Sequence, residues 1–204
     1  FGELALFHRR SGTLVLTDSL ISIPEDPPEL LTVDREYGKA LLYHARDGPG
    51  ELADTPEARR RGWARIALFV SFFNPGALTD VEVQVPETGS TRPWSWQPGW
   101  ERSFERLRSG GKPLVAPIIR ELILKQQPEA TRAFVDRVAT WPFVRAVTAH
   151  FTCPIAMGPS ELREAFAFAG DPASRPGYCS EDLAFLADLQ RSAVPDGVPV
   201  EAAG

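Results

Sequence analysis

Two side chains that could ligate a metal ion follow short apolar segments of the sequence. Asp18 comes directly after residues 13–17, and His150 comes directly after residues 144–149. A carboxylate and an imidazole at two strand ends are ligands that zinc and similar metal ions accept. Because a zinc site takes at least three protein ligands, this pair alone predicts a partial or vestigial metal site. For Asp18 taken alone, the favoured interpretation is structural, in which its side chain caps the turn after its strand.

Few other residues could complete such a site. Cys153 lies three residues after His150 and is a candidate additional ligand, although a buried, inert thiol is the favoured interpretation. His8 and His44 are interpreted as hydrogen-bonded structural histidines. The sequence also has no Gly-x-Ser-x-Gly motif and no Gly-rich phosphate-binding loop. We therefore expect no catalytic residue and no cofactor, with zinc, iron or manganese as the alternative.

Neighbouring elements must bring the two strand ends together. Residues 3–8 and 13–17 predict a β-hairpin, since the connecting residues 9–12 include Gly12, which tolerates a positive φ. Residues 143–149 predict a third strand. Three strands are too few for a complete sheet with helices on both faces. The missing strands are expected to precede residue 1, where the chain begins without an initiator Met, or to come from another chain.

The strongest predicted helix begins near Asp54 and ends before Asn74. Asp54 is the predicted N-cap, Pro56 suits the first turn, and Glu57 completes a capping box. A helix that is apolar on nearly every side is buried on two sides or faces a partner on one. Burial within the chain is the favoured interpretation. The alternative is a partner-facing surface formed by the apolar residues outside the main stripe, which are Leu68, Phe69 and Phe72.

The rest of the sequence predicts a mainly helical chain. Further helices are predicted over residues 100–107, 113–127, 129–141, 159–169 and 180–191. Loops are predicted over residues 22–29, where three prolines occur, and over the Pro- and Trp-rich residues 86–99. Several helices and few strands indicate an α/β or α+β fold. We expect a single domain over residues 1–193 and a flexible tail over residues 194–204.

Composition narrows the range of functions. With 204 residues, of which 43% are hydrophobic, the chain can bury the core of one domain. A net charge of −5 does not favour nonspecific binding to nucleic acid or to an anionic membrane. No apolar segment approaches the roughly 18 residues of a membrane span. The two cysteines, Cys153 and Cys179, predict reduced thiols rather than a disulfide framework.

Several segments, in their order and spacing, resemble a family of plant, algal and cyanobacterial proteins of the DUF4336 type. They are residues 7–18, 43–47, 54–63, 149–151, 161–162 and 165–166, and the resemblance extends over about residues 1–169. The family resembles a divergent branch of the metallo-β-lactamase fold, an αββα sandwich. On that resemblance Asp18 matches the Asp ligand and His150 the last His ligand, although Thr17 and Ala149 replace the usual glycines. The His-rich motif has no counterpart, so only the C-terminal half of the sandwich, with extra helices, is expected.

The resemblance implies a degenerate hydrolase-like domain. The favoured expectation is a noncatalytic structural or assembly subunit, with protein partners in a plastid or photosynthetic membrane complex of the chloroplast. The alternative is a metal-dependent hydrolase whose remaining His ligands lie upstream of residue 1. A third interpretation is a small-molecule binder that uses the former metal pocket, with an aromatic wall formed by Trp94, Trp96 and Trp100.

Overall fold

Short strands and longer helices alternate along the chain. The computed structural model describes residues 2–48, 50–80, 94–171, 174 and 177–193, so the predicted tail lies outside the described residues. The strands are β1 Leu6–His8, β2 Thr13–Val15, β3 Leu20–Ile21, β4 Leu78–Asp80, β5 Trp94–Trp96, β6 Leu114–Val115, β7 Arg145–Val147 and β8 Ile155–Ala156. The α-helices are α1 Glu29–Val33, α2 Arg35–Ala45, α3 Pro56–Phe72, α4 Glu101–Arg108, α5 Pro117–Leu122, α6 Pro128–Val138, α7 Pro159–Ala165 and α8 Ala184–Ala193. The fold is therefore mixed α/β, as the sequence predicts.

The largest described sheet has the strand order β1-β2-β7-β8. Strands β1 and β2 pair antiparallel, which confirms the predicted hairpin, and Gly12 has a φ of 60° in its connection. Strands β2 and β7 pair parallel, with Leu14 opposite Ala146. The sheet therefore joins the two segments that precede Asp18 and His150, with their carboxyl ends at the same edge.

Two pairs of short strands lie outside this sheet. Strand β3 pairs with β6, and β4 pairs with β5. The first pair corrects the predicted helix over residues 113–127, because Leu114 and Val115 form β6 and Pro117 then begins the short helix α5. Proline suits that position, since the first helical N–H has no partner within the helix.

Helix α3 confirms the strongest predicted helix but corrects its cap. Thr55 is the N-cap, and its Oγ1 accepts a hydrogen bond from the N–H of Ala58 at 3.2 Å. The carboxylate of Asp54 instead accepts hydrogen bonds from Arg59 at 2.6 and 2.8 Å. Asp54 lies one residue before the N-cap position, because the helix begins at Pro56.

The apolar surface of α3 packs largely inside the chain. Leu68 and Phe72 are 0% exposed and belong to one hydrophobic core together with Trp63. The partner-facing interpretation of these two residues is wrong, because the neighbouring helices and strands cover them. Phe69 is half-buried, and the exposed apolar positions of α3 are instead Val70 and, just beyond the helix, Phe73.

Two tryptophans, one in β5 and one shortly after it, pack around an arginine. The guanidinium carbon of Arg65 lies 5.4 Å from the ring centre of Trp96 and 4.7 Å from that of Trp100. The same guanidinium donates hydrogen bonds to the carbonyls of residues 44, 45 and 46, at the end of α2. The predicted aromatic wall is therefore corrected at Trp96 and Trp100, which cover a buried arginine.

Three smaller features complete the description. Both cysteines are free. Cys153 is exposed, so the prediction of a buried thiol at this position is wrong. His8 is a structural histidine as predicted, since its Nδ1 lies 2.7 Å from the Oγ of Ser11. Across the described ranges, no helix combines the length and the apolar character that a bilayer crossing requires.

Candidate functional site

Asp18 and His150 are direct neighbours. The β2–β7 ladder continues past both strands, with hydrogen bonds from the N–H of Leu16 to the carbonyl of Val147 at 2.9 Å and from the N–H of Ala149 to the carbonyl of Thr17 at 3.1 Å. The Nε2 of His150 lies 2.9 Å from the Oδ1 of Asp18. Both side chains are accessible, at 44% for Asp18 and 59% for His150. The structure thus brings together the two residues that the sequence singles out.

Glu3 holds the loop that carries Asp18. Its carboxylate accepts hydrogen bonds from the N–H of Thr17 at 2.9 Å, the Oγ1 of Thr17 at 2.7 Å and the N–H of Ser19 at 2.9 Å. Burial alone would raise the pKa of Glu3, but the bonds from Thr17 and Ser19 together outweigh it and lower that pKa. Glu3 is therefore a positioning residue that fixes the backbone on both sides of Asp18.

The backbone after His150 turns sharply. Phe151 has a φ of 64°, a left-handed conformation that is costly for a bulky residue. Its ring packs edge-on against Trp63, with the ring centres 5.8 Å apart. The Oγ1 of Thr148 also donates to the carbonyl of His150 at 3.2 Å. Packing of the aromatic ring thus holds the strained turn that presents His150.

Next to the Asp18–His150 pair is an open, mainly apolar groove of about 740 Å³. This volume lies within the range of ligand-binding clefts. Asp18 and His150 are the only titratable side chains in its described lining, and the remaining lining residues are Ile21, Pro28, Leu30, Leu31, Trp63, Val70, Ser71, Ala116, Pro117, Ile118, Ile119 and Phe151. The pair therefore forms a polar rim beside an apolar surface.

Ser71 supplies an unpartnered hydroxyl in the same groove. It is 4% exposed, it lines the groove, and its Oγ has no hydrogen-bond partner among the described residues. A buried polar atom without a partner is costly, so such an atom in a binding cleft indicates a group that a ligand can satisfy. Sequence reasoning missed Ser71, because its position within an apolar helix gives no signal of this kind.

The described residues do not form a complete metal centre. Within the part of the chain that the structure describes, no group of three His, Cys, Asp or Glu side chains is arranged to hold a metal ion. Cys153 does not join Asp18 and His150 in such a group, although it follows His150 by three residues. The donor set present, a carboxylate and an imidazole bonded to each other, is too small to hold a catalytic zinc ion.

The fold and the site together describe a mixed α/β protein. It has an open apolar groove with a polar rim at one edge of the sheet. The chain belongs to the family described as "Domain of unknown function (DUF4336)", whose model matches residues 1–168. This match confirms the family that the sequence segments indicate. Comparison with curated proteins and with solved structures finds no match.

Proposed function

We propose that the chain is a noncatalytic subunit of a larger complex and that its groove binds an apolar segment of a partner protein. The observation that carries this proposal is the exposure of large apolar side chains at the groove. Leu30 is 65% exposed and Val70 is 50% exposed, and both line it. Exposed apolar surface with a polar rim is typical of protein interaction sites.

The proposed cellular location rests on the resemblance of the sequence to the DUF4336-type proteins. The plant, algal and cyanobacterial character of the resembling proteins supports a plastid, and with it a complex of the photosynthetic membrane. The same resemblance supports a degenerate metallo-β-lactamase-like sandwich, in which Asp18 and His150 are remnants of a metal site. The β2–β7 pairing, with both residues at one sheet edge, is consistent with that origin.

The test measures whether the groove holds the chain in an assembly. In cells that make the protein, we expect the native chain to migrate with a large complex on native gels. The double variant Leu30→Asp/Val70→Asp should migrate as the free chain, because two carboxylates would lie in apolar contact surface. The matched control is Leu4→Asp, since Leu4 is 63% exposed but does not line the groove. A native chain that migrates alone, or a double variant that stays in the complex, would refute the proposal.

A second candidate is a metal-dependent hydrolase whose further ligands precede residue 1. The observation in its favour is the 2.9 Å contact between Asp18 and His150 at adjacent strand ends. Zinc, iron or manganese would be the metal. Elemental mass spectrometry on the natively purified protein tests this candidate, with Asp18→Ala/His150→Ala as the control. A near-stoichiometric metal that is lost in the control would support the hydrolase, and a metal content that is equal in both proteins would exclude these two ligands.

A further inference from the structure

We propose that the partner segment bound in the groove carries a basic side chain, which donates hydrogen bonds to the Asp18–His150 pair. This inference rests on the proposed function and adds the chemistry of the segment. Three observations lead to it: the charge of the groove lining, the free acceptor oxygen of Asp18, and the unpartnered hydroxyl of Ser71.

The side chains that line the groove include a carboxylate and no permanent positive charge. Asp18 is the only carboxylate in the described lining, and neither Lys nor Arg contributes to that lining. Glu29, which lies between the lining residues Pro28 and Leu30, is exposed and has no ion pair with any described residue. Glu3, whose pKa is lowered, adds a further carboxylate directly behind the Asp18 loop. A segment with a carboxylate at this rim would be repelled, and a cationic one attracted.

The rim presents a free acceptor. The Oδ1 of Asp18 is engaged by the Nε2 of His150 at 2.9 Å, whereas the Oδ2 of Asp18 has no hydrogen bond to the described residues. A Lys ammonium and an Arg guanidinium are donors that form charge-assisted hydrogen bonds with such a carboxylate oxygen.

Ser71 indicates a second polar contact within the groove. Its Oγ is buried and unpartnered, although the surrounding lining is apolar. A hydroxyl both donates and accepts, so a polar side chain of a bound segment would satisfy it. The groove therefore suits a chain that is apolar along most of its length, with one polar atom at Ser71 and a cation at the rim.

The occupant is a protein segment because the apolar surface continues beyond the groove. Leu30 and Val33 lie three residues apart on α1 and so share one face of that helix. Leu30 lines the groove, and Val33 is 70% exposed. A small cation would leave this face in water, whereas a segment of several residues covers it.

The experiment compares three synthetic peptides for binding to the 204-residue chain. Each is an amphipathic helix of about 14 residues with a Leu face, and they differ at one central position, which is Lys, Gln or Glu. Affinity is measured by fluorescence anisotropy at low and high salt, for the native chain, for Asp18→Asn and for Asp136→Asn. Asp136 is the matched control, since it is exposed and does not line the groove. Nile red, a neutral apolar dye, and hexylamine, a small cation, serve as competitors.

We expect the Lys peptide to bind about tenfold more tightly than the Glu peptide at low salt, with the Gln peptide between them. Asp18→Asn should abolish most of this difference, whereas Asp136→Asn should behave as the native chain. Salt should reduce the preference for Lys.

Other outcomes overturn the inference in distinguishable ways. Equal affinities for the three peptides, with Nile red competing, would refute the basic residue and leave the apolar binding site in place. Displacement by hexylamine at the same concentration as the peptide would make the occupant a small cation. If neither the peptides nor Nile red binds, the inference and the proposed binding function fail together.

Discussion

Glu3 shows how one side chain can position a site residue without touching it. Glu3 accepts three hydrogen bonds from Thr17 and Ser19 through its two carboxylate oxygens. Replacing Glu3 by Gln removes the charge and one of these two acceptor oxygens, so at least one of the bonds is lost. We expect a loss of about 1–2 kcal/mol in the free energy of unfolding, limited by partial exposure to water. Urea unfolding measures the loss, and hydrogen exchange at the amides of Thr17 and Ser19 should become faster.

The pH dependence gives this prediction a second check. Because the pKa of Glu3 is lowered in the folded chain, its stabilising contribution is present above the unfolded pKa. That contribution is lost as the pH falls through the folded pKa. The difference in unfolding free energy between the native chain and Glu3→Gln should therefore become smaller below about pH 4.5. Glu36→Gln is the control, since Glu36 is exposed and bonds only to the exposed Lys39 through its side chain. A gap that stays constant with pH would contradict the role of the ionised carboxylate.

Asp182 is the opposite case, a carboxylate whose pKa is raised by burial. It is 1% exposed, and its oxygens have no hydrogen bond of good geometry to the described residues. The nearby Ser103 and the N–H groups of Gly76 and Ala77 oppose the shift without cancelling it. The folded chain therefore binds the proton of Asp182 more tightly than the unfolded chain does. The stability that this proton provides is lost as the pH rises through the folded pKa of Asp182.

The variant Asp182→Asn tests the direction of this pH dependence, because asparagine keeps the shape of the side chain and does not titrate. We expect the stability of the native chain relative to the variant to fall as the pH rises above about 3.9, the ordinary pKa of an Asp carboxyl. Urea unfolding at several pH values gives the two curves. Parallel curves would show that Asp182 titrates alike in the folded and unfolded chains.

The site residues differ in how far the sequence reveals them. Asp18 and His150 could be predicted because each ends an apolar run, and parallel strands place such ends at one edge. Glu3 could not, since its partners lie 14 and 16 residues away and are mainly backbone N–H groups. Ser71 could not either, because the lack of a hydrogen-bond partner is a property of packing and not of residue type.

At the scale of elements, the contact between α2 and α3 depends on one glycine. A Cβ at Gly62 would lie 1.9 Å from the carbonyl oxygen of Leu41, which is backbone and cannot move aside cheaply. We therefore expect Gly62→Ala to separate the two helices and to cost about 3 kcal/mol or more in unfolding free energy. Urea unfolding, with circular dichroism as the probe, measures the cost.

Gly38 provides the matched control on the other helix. A Cβ at Gly38 would meet the Nη2 of Arg59 at 3.7 Å, an ordinary contact with a flexible side chain. Gly38→Ala should therefore stabilise the chain by about 0.5–1 kcal/mol, the gain of Ala over Gly within a helix. Equal effects of the two substitutions would mean that helix propensity, rather than the α2–α3 contact, determines the result.

Elements with local signals could be predicted, and elements defined by distant contacts could not. The hairpin and α3 have their own turn and cap residues, although Thr55 rather than Asp54 is the cap. Helix α1 gives little local signal, since it is five residues long and directly follows a Pro-rich loop. Helix α2 is the exception, because it was not predicted although Asp34 caps it by accepting hydrogen bonds from the N–H groups of Glu36 and Tyr37. The helix predicted over residues 113–127 failed because β6 exists only through its pairing with β3.

At the scale of the whole molecule, the groove lies where two hydrophobic cores meet. Asp18 and His150 extend from the sheet of the first core, which contains Leu14 and Ala146. The groove residues Ile21 and Trp63 belong to the second core. A segment bound in the groove therefore contacts elements of both cores, and its binding energy should stabilise the chain as one unit.

This coupling leads to a prediction about the unfolding of the liganded chain. At about 100 times its Kd, the Lys peptide should raise the free energy of unfolding by about 2.7 kcal/mol, since it binds only the folded chain. Tryptophan fluorescence, to which Trp63 in the groove contributes, and far-ultraviolet circular dichroism should shift to the same higher midpoint. The double variant Leu30→Asp/Val70→Asp should show no shift with either probe. A shift in fluorescence alone would mean that the peptide stabilises the second core while the sheet that carries Asp18 and His150 unfolds independently.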